Sequence, residues 1–86
     1  MNYKIEYDID LIKVLARVPK HDAKFIKEKI EKLAENPRPY GSIKLSGKEL
    51  YRIRHGSYRI IYKIFDHKLI VIIINIGNRN EIYKSL

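Results

Sequence analysis

The sequence predicts one α+β domain over residues 1–86, ordered β-α-α-β-β-β, with an antiparallel four-stranded sheet and an N-terminal helical hairpin on one sheet face. Three observations lead there. Tyr3, Ile5 and Tyr7 alternate with Lys4 and Glu6, the period-two mark of a half-buried strand. From Ile9 to Ala34 apolar residues recur at helical spacing instead, and from Leu50 onward the helical period does not return.

After the strand at residues 3–7, Asp8 and Asp10 offer N-caps and negative charge for a first helix. Its apolar positions are Ile9, Ile12, Leu15 and Ala16, it runs up to Val18, and Pro19 closes it. The second helix puts Ala23, Ile26, Ile30, Leu33 and Ala34 on one face, with Lys24, Lys27, Glu28, Glu31, Lys32 and Glu35 over the rest. Glu28 and Lys32 are spaced as a favourable (i, i+4) ion pair. Asn36-Pro37 ends this helix, because a residue before proline is pushed out of the helical region. Residues 38–42 are turn chemistry.

Residues 50–55 and 58–65 read as a β-hairpin around Gly56-Ser57. Asp66-His67 then turns the chain into residues 69–76, whose nearly unbroken Ile and Val content marks a strand covered on both faces, hence central. The hairpin flanks it on one side. The strand at residues 3–7 is its natural neighbour on the other, antiparallel if the helices form an up-down pair. Residues 77–79 leave the sheet, and 80–86 form a short tail.

Composition excludes several classes of function. The chain lacks cysteine, so it has no disulfide and no thiolate metal cage. No apolar stretch follows Met1 as a secretory signal requires, and the longest apolar run, 69–74, is far shorter than the roughly 20 residues of a membrane helix. A soluble, cytoplasmic protein is expected. His21, His55 and His67 stand apart in sequence, each at or near a predicted turn, so no metal site is expected. Gly41, Gly47, Gly56 and Gly77 are scattered turn formers with no phosphate-loop or dinucleotide spacing, and no cofactor is expected.

Charge carries the functional signal. With 18 Lys/Arg against 10 Asp/Glu the net charge is +8, of which residues 1–37 hold +1 and residues 38–86 hold +7. Arg38, Lys44, Lys48, Arg52, Arg54, Arg59 and Lys63 lie within one stretch that contains the single acid Glu49. Clustered cations suit a polyanion, because neutralising phosphates releases counterions. Strand alternation puts Arg52 and Arg54 on the face opposite Tyr51 and Ile53, and Arg59 can share that face from the next strand. Arg79, at the end of the central strand, and Tyr83, four residues on, could join them. Like charges held close repel, which points to an anion that compensates them.

The segments Asn36-Pro37-Arg38-Pro39 and Lys44-Leu45-Ser46-Gly47, the hairpin Leu50-Tyr51-Arg52-Ile53-Arg54 with Gly56-Ser57-Tyr58-Arg59-Ile60-Ile61-Tyr62, and the terminal Ile76-Gly77-Asn78-Arg79 with Tyr83 together resemble the RelE/ParE toxin superfamily over nearly the whole chain. The resemblance implies a toxin of a type II toxin-antitoxin system, partnered by a cognate antitoxin. It implies a RelE-like, ribosome-dependent and metal-independent endoribonuclease that cuts messenger RNA, with Arg52, Arg54, Arg59, Arg79 and Tyr83 as catalytic residues. A ParE-like gyrase inhibitor without catalysis, or a member that binds RNA or antitoxin without cutting, is the alternative. RelE patterns carry lysines where this chain has Arg52 and Arg54, and many relatives have His or Lys where it has Asn78. A guanidinium, with a pKa above roughly 12, holds phosphate but carries protons poorly. Tyr83 is then the titratable member of the set. Lys44, Lys48 and Arg38 are expected to contact RNA, the first two also being reserve proton carriers.

Overall fold

A computed structural model of the chain describes residues 2–82. Strand β1 (Lys4–Tyr7) leads through α1 (Leu11–Leu15) and α2 (Lys20–Lys32) into β2 (Ile43–Lys44), β3 (Tyr51–His55), β4 (Tyr58–Phe65) and β5 (Ile70–Asn78), and α3 (Arg79–Ile82) follows. The sheet order is β1-β5-β4-β3-β2. The sheet therefore has five strands where the sequence reading gave four. The addition is β2, a two-residue edge strand paired with the start of β3 and too short to show a period.

One expectation is reversed. β1 pairs with β5 in parallel, Ile5 beside Val71 and Tyr7 beside Ile73, whereas an antiparallel pair was expected. The reason is the length of α1. Its five residues rise only about 8 Å, against about 20 Å for the thirteen of α2, so the two do not form an up-down pair. A single long helix returns the chain to the end of the sheet where β1 began, shown by the 2.6 Å hydrogen bond from the Tyr3 amide to the Ala34 carbonyl. From there β3, β4 and β5 alternate in direction, which leaves β5 running the same way as β1.

Local chemistry sets the helix ends. The Asp10 carboxylate accepts from the Lys13 amide at 3.1 Å and caps α1. α1 ends at Leu15 with Ala16 as its C-cap, short of the expected Val18, and Pro19 occupies the cap position of α2 instead of closing α1. Ile26, Ile30 and Leu33 lie fully buried against Ile53, Ile60, Tyr62, Val71, Ile73 and Ile76, the core that helical spacing and strand parity together required. The far face of β5 is less covered than its sequence implied. Ile70, Ile72 and Ile74 are half-buried, and among the described residues that face carries a small cluster of Leu50, Ile61 and Ile82 with Leu45 and Ile74 against it. α3 closes onto the sheet over Gly77, where a Cβ would stand in van der Waals contact with Ile82, 3.4 Å from its Cδ1.

A buried phenol ties the connecting loop to the core. Tyr62 is wholly inaccessible and its hydroxyl donates to the Pro37 carbonyl at 2.8 Å. Burial pushes this phenol from the ordinary value of 10.0 up to about 12. The stability it contributes is intact below the ordinary value and is lost as pH rises toward about 12. Tyr62→Phe is expected to cost about 1 to 3 kcal/mol, since the Pro37 carbonyl loses its donor. A lower urea midpoint at unchanged m-value would register it; an unchanged midpoint would contradict it.

Candidate functional site

The hairpin of β3 and β4 builds the site. Arg54 stands directly opposite Arg59 across the strands, Arg52 opposite Ile61, and Arg59 opposite Gly77 of β5. Cross-strand partners share a face, so the expected convergence of Arg52, Arg54 and Arg59 on the face away from α2 is what the register gives. Their exposures differ. Arg54 is exposed, Arg52 is half-buried, and Arg59 is only 6% exposed.

Arg59 folds back on its own turn, where Nη1 donates to the carbonyls of Gly56 at 3.0 Å and Tyr58 at 3.2 Å. Its Nε is buried with no acceptor among the described residues. Gly56, at φ +57, gives that turn its left-handed residue. The Arg79 amide donates to the Ser57 carbonyl at 2.8 Å, which docks the start of α3 on the same turn and leaves the Arg79 side chain exposed beside it. Among the described residues, no carboxylate lies within ion-pair distance of Arg54, Arg59 or Arg79. Cations facing one another without acids attract an anion to the sheet surface between them. Tyr83 lies outside the described residues.

The three expected RNA contacts do not join this group. Lys44 is paired with Glu49 at 3.6 Å on the edge strand, and Lys48 is exposed in the turn before β3. Arg38 is committed to structure: its guanidinium grips Asp66 in a fork, at 3.1 and 3.0 Å, its Nε donates to the Tyr51 hydroxyl at 3.2 Å, and Tyr3 donates to the same carboxylate at 2.7 Å. The Arg38 guanidinium, helped by the Tyr3 hydroxyl, holds the Asp66 carboxyl at about 2, below its ordinary 3.8. A depressed carboxyl contributes stability above its ordinary value and loses it as pH falls toward about 2. Arg38→Ala is expected to move the Asp66 midpoint upward in a carbon-13 NMR titration. No movement would show that the fork does not form in solution.

Two further features escaped the sequence reading. The histidines are not all isolated, because His21 and His55 flank Phe25 at 5.0 and 5.6 Å between ring centroids, and His55 Nε2 lies 2.9 Å from Asp22 Oδ1. Among the described residues no group of three or more His, Cys, Asp or Glu is placed to hold a metal ion. Below this cluster, Lys29, Lys32, Pro39, Tyr40, Gly41, Ile53 and Arg54 line a concavity of about 250 Å³. Lys32 forms no ion pair with Glu28, contrary to the spacing argument. The available signal was Phe25, an aromatic off the Ile26-Ile30-Leu33 stripe, three residues after Asp22 and four before Lys29. It marks a second contact stripe on α2.

Among the described residues no helix is long and apolar enough to cross a membrane. Residues 3–83 match the family model for the ParE toxin of type II toxin-antitoxin systems, parDE. A RelE1 protein of Methanocaldococcus jannaschii is 34% identical over 99% of both chains, and the mRNA interferase toxin RelE of Escherichia coli is 30% identical over 99% of this chain and 94% of its own. The toxin chain in the archaeal RelE-RelB complex of Pyrococcus horikoshii superposes with a TM-score of 0.80 at 29% identity, covering 94% of this chain and 99% of that one. The E. coli RelE of an intact RelBE toxin-antitoxin complex superposes with a TM-score of 0.74 at 28% identity, over 88% and 95% of the two chains.

Proposed function

This chain belongs to the RelE/ParE superfamily as a RelE-like toxin of a type II toxin-antitoxin system, and from that premise we propose that it cuts messenger RNA on the ribosome and is neutralised by a RelB-like antitoxin. The observation that carries the reading is the arginine face: Arg54 opposite Arg59, with Arg79 docked beside the same turn and no carboxylate paired with any of them among the described residues. Guanidiniums held together on a sheet without carboxylates suit a phosphodiester backbone, whose charge they offset.

In the proposed reaction the 2'-hydroxyl of the message attacks the adjacent phosphorus and gives up its proton. The pentacoordinate oxygens gain charge, and the 5'-oxygen leaves with a proton. Arg54 and Arg79 stabilise the charge on the phosphoryl oxygens. Arg59 joins by swinging off its turn, a movement favoured because its buried Nε lacks a partner, at a standing cost of about 1 to 3 kcal/mol. Arg52, next along the same face, grips the neighbouring phosphate. Tyr83, the next residue in sequence after α3, is the proposed proton carrier. The antitoxin silences the site by laying carboxylates across these arginines.

The family model bears the name of ParE toxins, so the test must separate translation from DNA replication. After induction in a host lacking the antitoxin, pulse-labelled methionine incorporation should fall within minutes while thymidine incorporation continues. A prior fall in thymidine would favour gyrase inhibition.

A further inference from the structure

We infer that the concavity between α2 and the free edge of β3 holds single-stranded RNA, with one phosphate between Lys29 and Lys32 and one base stacked on Tyr40. The inference rests on the RNA reading above and extends it beyond the arginine face. β2 pairs only with Tyr51 and Arg52, so Ile53–His55 have no strand on that side. α2 lies along the gap, and Lys29 Nζ donates to the Arg54 carbonyl at 2.7 Å. That bond fixes the ammonium and leaves it two further donors.

Lys32 lines the same space one turn on, and among the described residues neither lysine has a carboxylate within ion-pair distance. Two ammoniums without carboxylate partners beside a space of about 250 Å³ repel each other until an anion enters. Tyr40, at 108% relative exposure, stands bare at the rim. A ring so placed gains nothing from burial, whereas a ring face beside a phosphate-sized basic hollow is how proteins stack single-stranded bases. Arg54 turns its side chain to the arginine face and its carbonyl to Lys29 at the hollow, so a strand crossing the arginine face reaches the hollow over the β3 edge. An acidic peptide would neutralise the same charges but leave the Tyr40 ring idle.

The test is fluorescence anisotropy of a fluorescein-labelled single-stranded RNA of about ten nucleotides, bound to the full chain over a salt series, with circular dichroism confirming that each variant folds. Lys32→Ala should weaken binding at low salt and make the slope of log affinity against log salt shallower by about 0.7. Tyr40→Ala should weaken binding about 5- to 100-fold with the slope unchanged. RNA binding equal to the parent in both variants, or no binding by the parent, would overturn the inference. Loss of antitoxin affinity with RNA affinity retained would assign the hollow to the protein partner instead. An effect of one variant alone overturns the half that the other tests. Cleavage is scored separately on the unaltered protein: intact messages with the anisotropy effects present would reject the nuclease reading alone, and cut messages without those effects would reject the hollow alone.

Discussion

Arg79→Ala is expected to lower message cleavage about 100-fold or more and to abolish growth arrest, with thermal stability unchanged. Removing one preorganised donor from a site that stabilises developing charge costs on that scale. The stability half follows from its position. The side chain is exposed, and the contact that docks α3, from the Arg79 amide to the Ser57 carbonyl, is made by backbone and survives in alanine. Arg79→Lys should recover part of the activity, because an ammonium keeps the charge and loses the planar fork. Arg59 is a poorer probe: it is 6% exposed and its Nη1 holds two turn carbonyls, so truncating it disturbs the hairpin together with the site. An Arg79→Ala protein that folds and cuts at the parental rate would remove Arg79 from the mechanism.

Ile73→Ala is expected to destabilise the fold by about 2 to 5 kcal/mol, the range for emptying a buried aliphatic position. At about 4 to 8 °C per kcal/mol for a domain of this size, the midpoint should fall by tens of degrees. Ile73 is wholly buried on β5, beside Tyr7 of β1 on one side and Tyr62 of β4 on the other, and belongs to the cluster that α2 closes with Ile26 and Ile30. Ile12 is the control. It occupies a helical apolar position by spacing yet is 84% exposed, and Ile12→Ala should stay within about 0.5 kcal/mol of the parent. A similar loss for both would mean that β5 is not a buried interior strand.

These two isoleucines show what the sequence made legible and what it did not. Ile73 sits in a run whose composition alone demands an interior strand, and β4 begins and ends where the Gly56-Ser57 and Asp66-His67 turns placed it. Ile12 was assigned to a helix that turned out to be five residues long, and the same shortness reversed the direction of β1. Periodicity reports which face a residue shares; it says little about how far a helix runs before it must turn, and strand direction depends on that length. The arginine face was legible because parity in a hairpin is rigid. The fork between Arg38 and Asp66 was not legible because the two lie 28 residues apart, and charge counting within a window does not see an acid outside it. The meeting of Lys29, Lys32 and Tyr40 was not legible because they come together only when α2 lies along the edge that β2 leaves open.

The proposed function stands most directly on primer extension across messages recovered from ribosomes incubated with the purified chain. Cleavage should map within the ribosomal A site of occupied messages, be absent from the same RNA without ribosomes, and disappear in Arg79→Ala and on adding the antitoxin. Messages left intact on the ribosome, together with gyrase-linked breaks in supercoiled DNA exposed to the same protein, would contradict it.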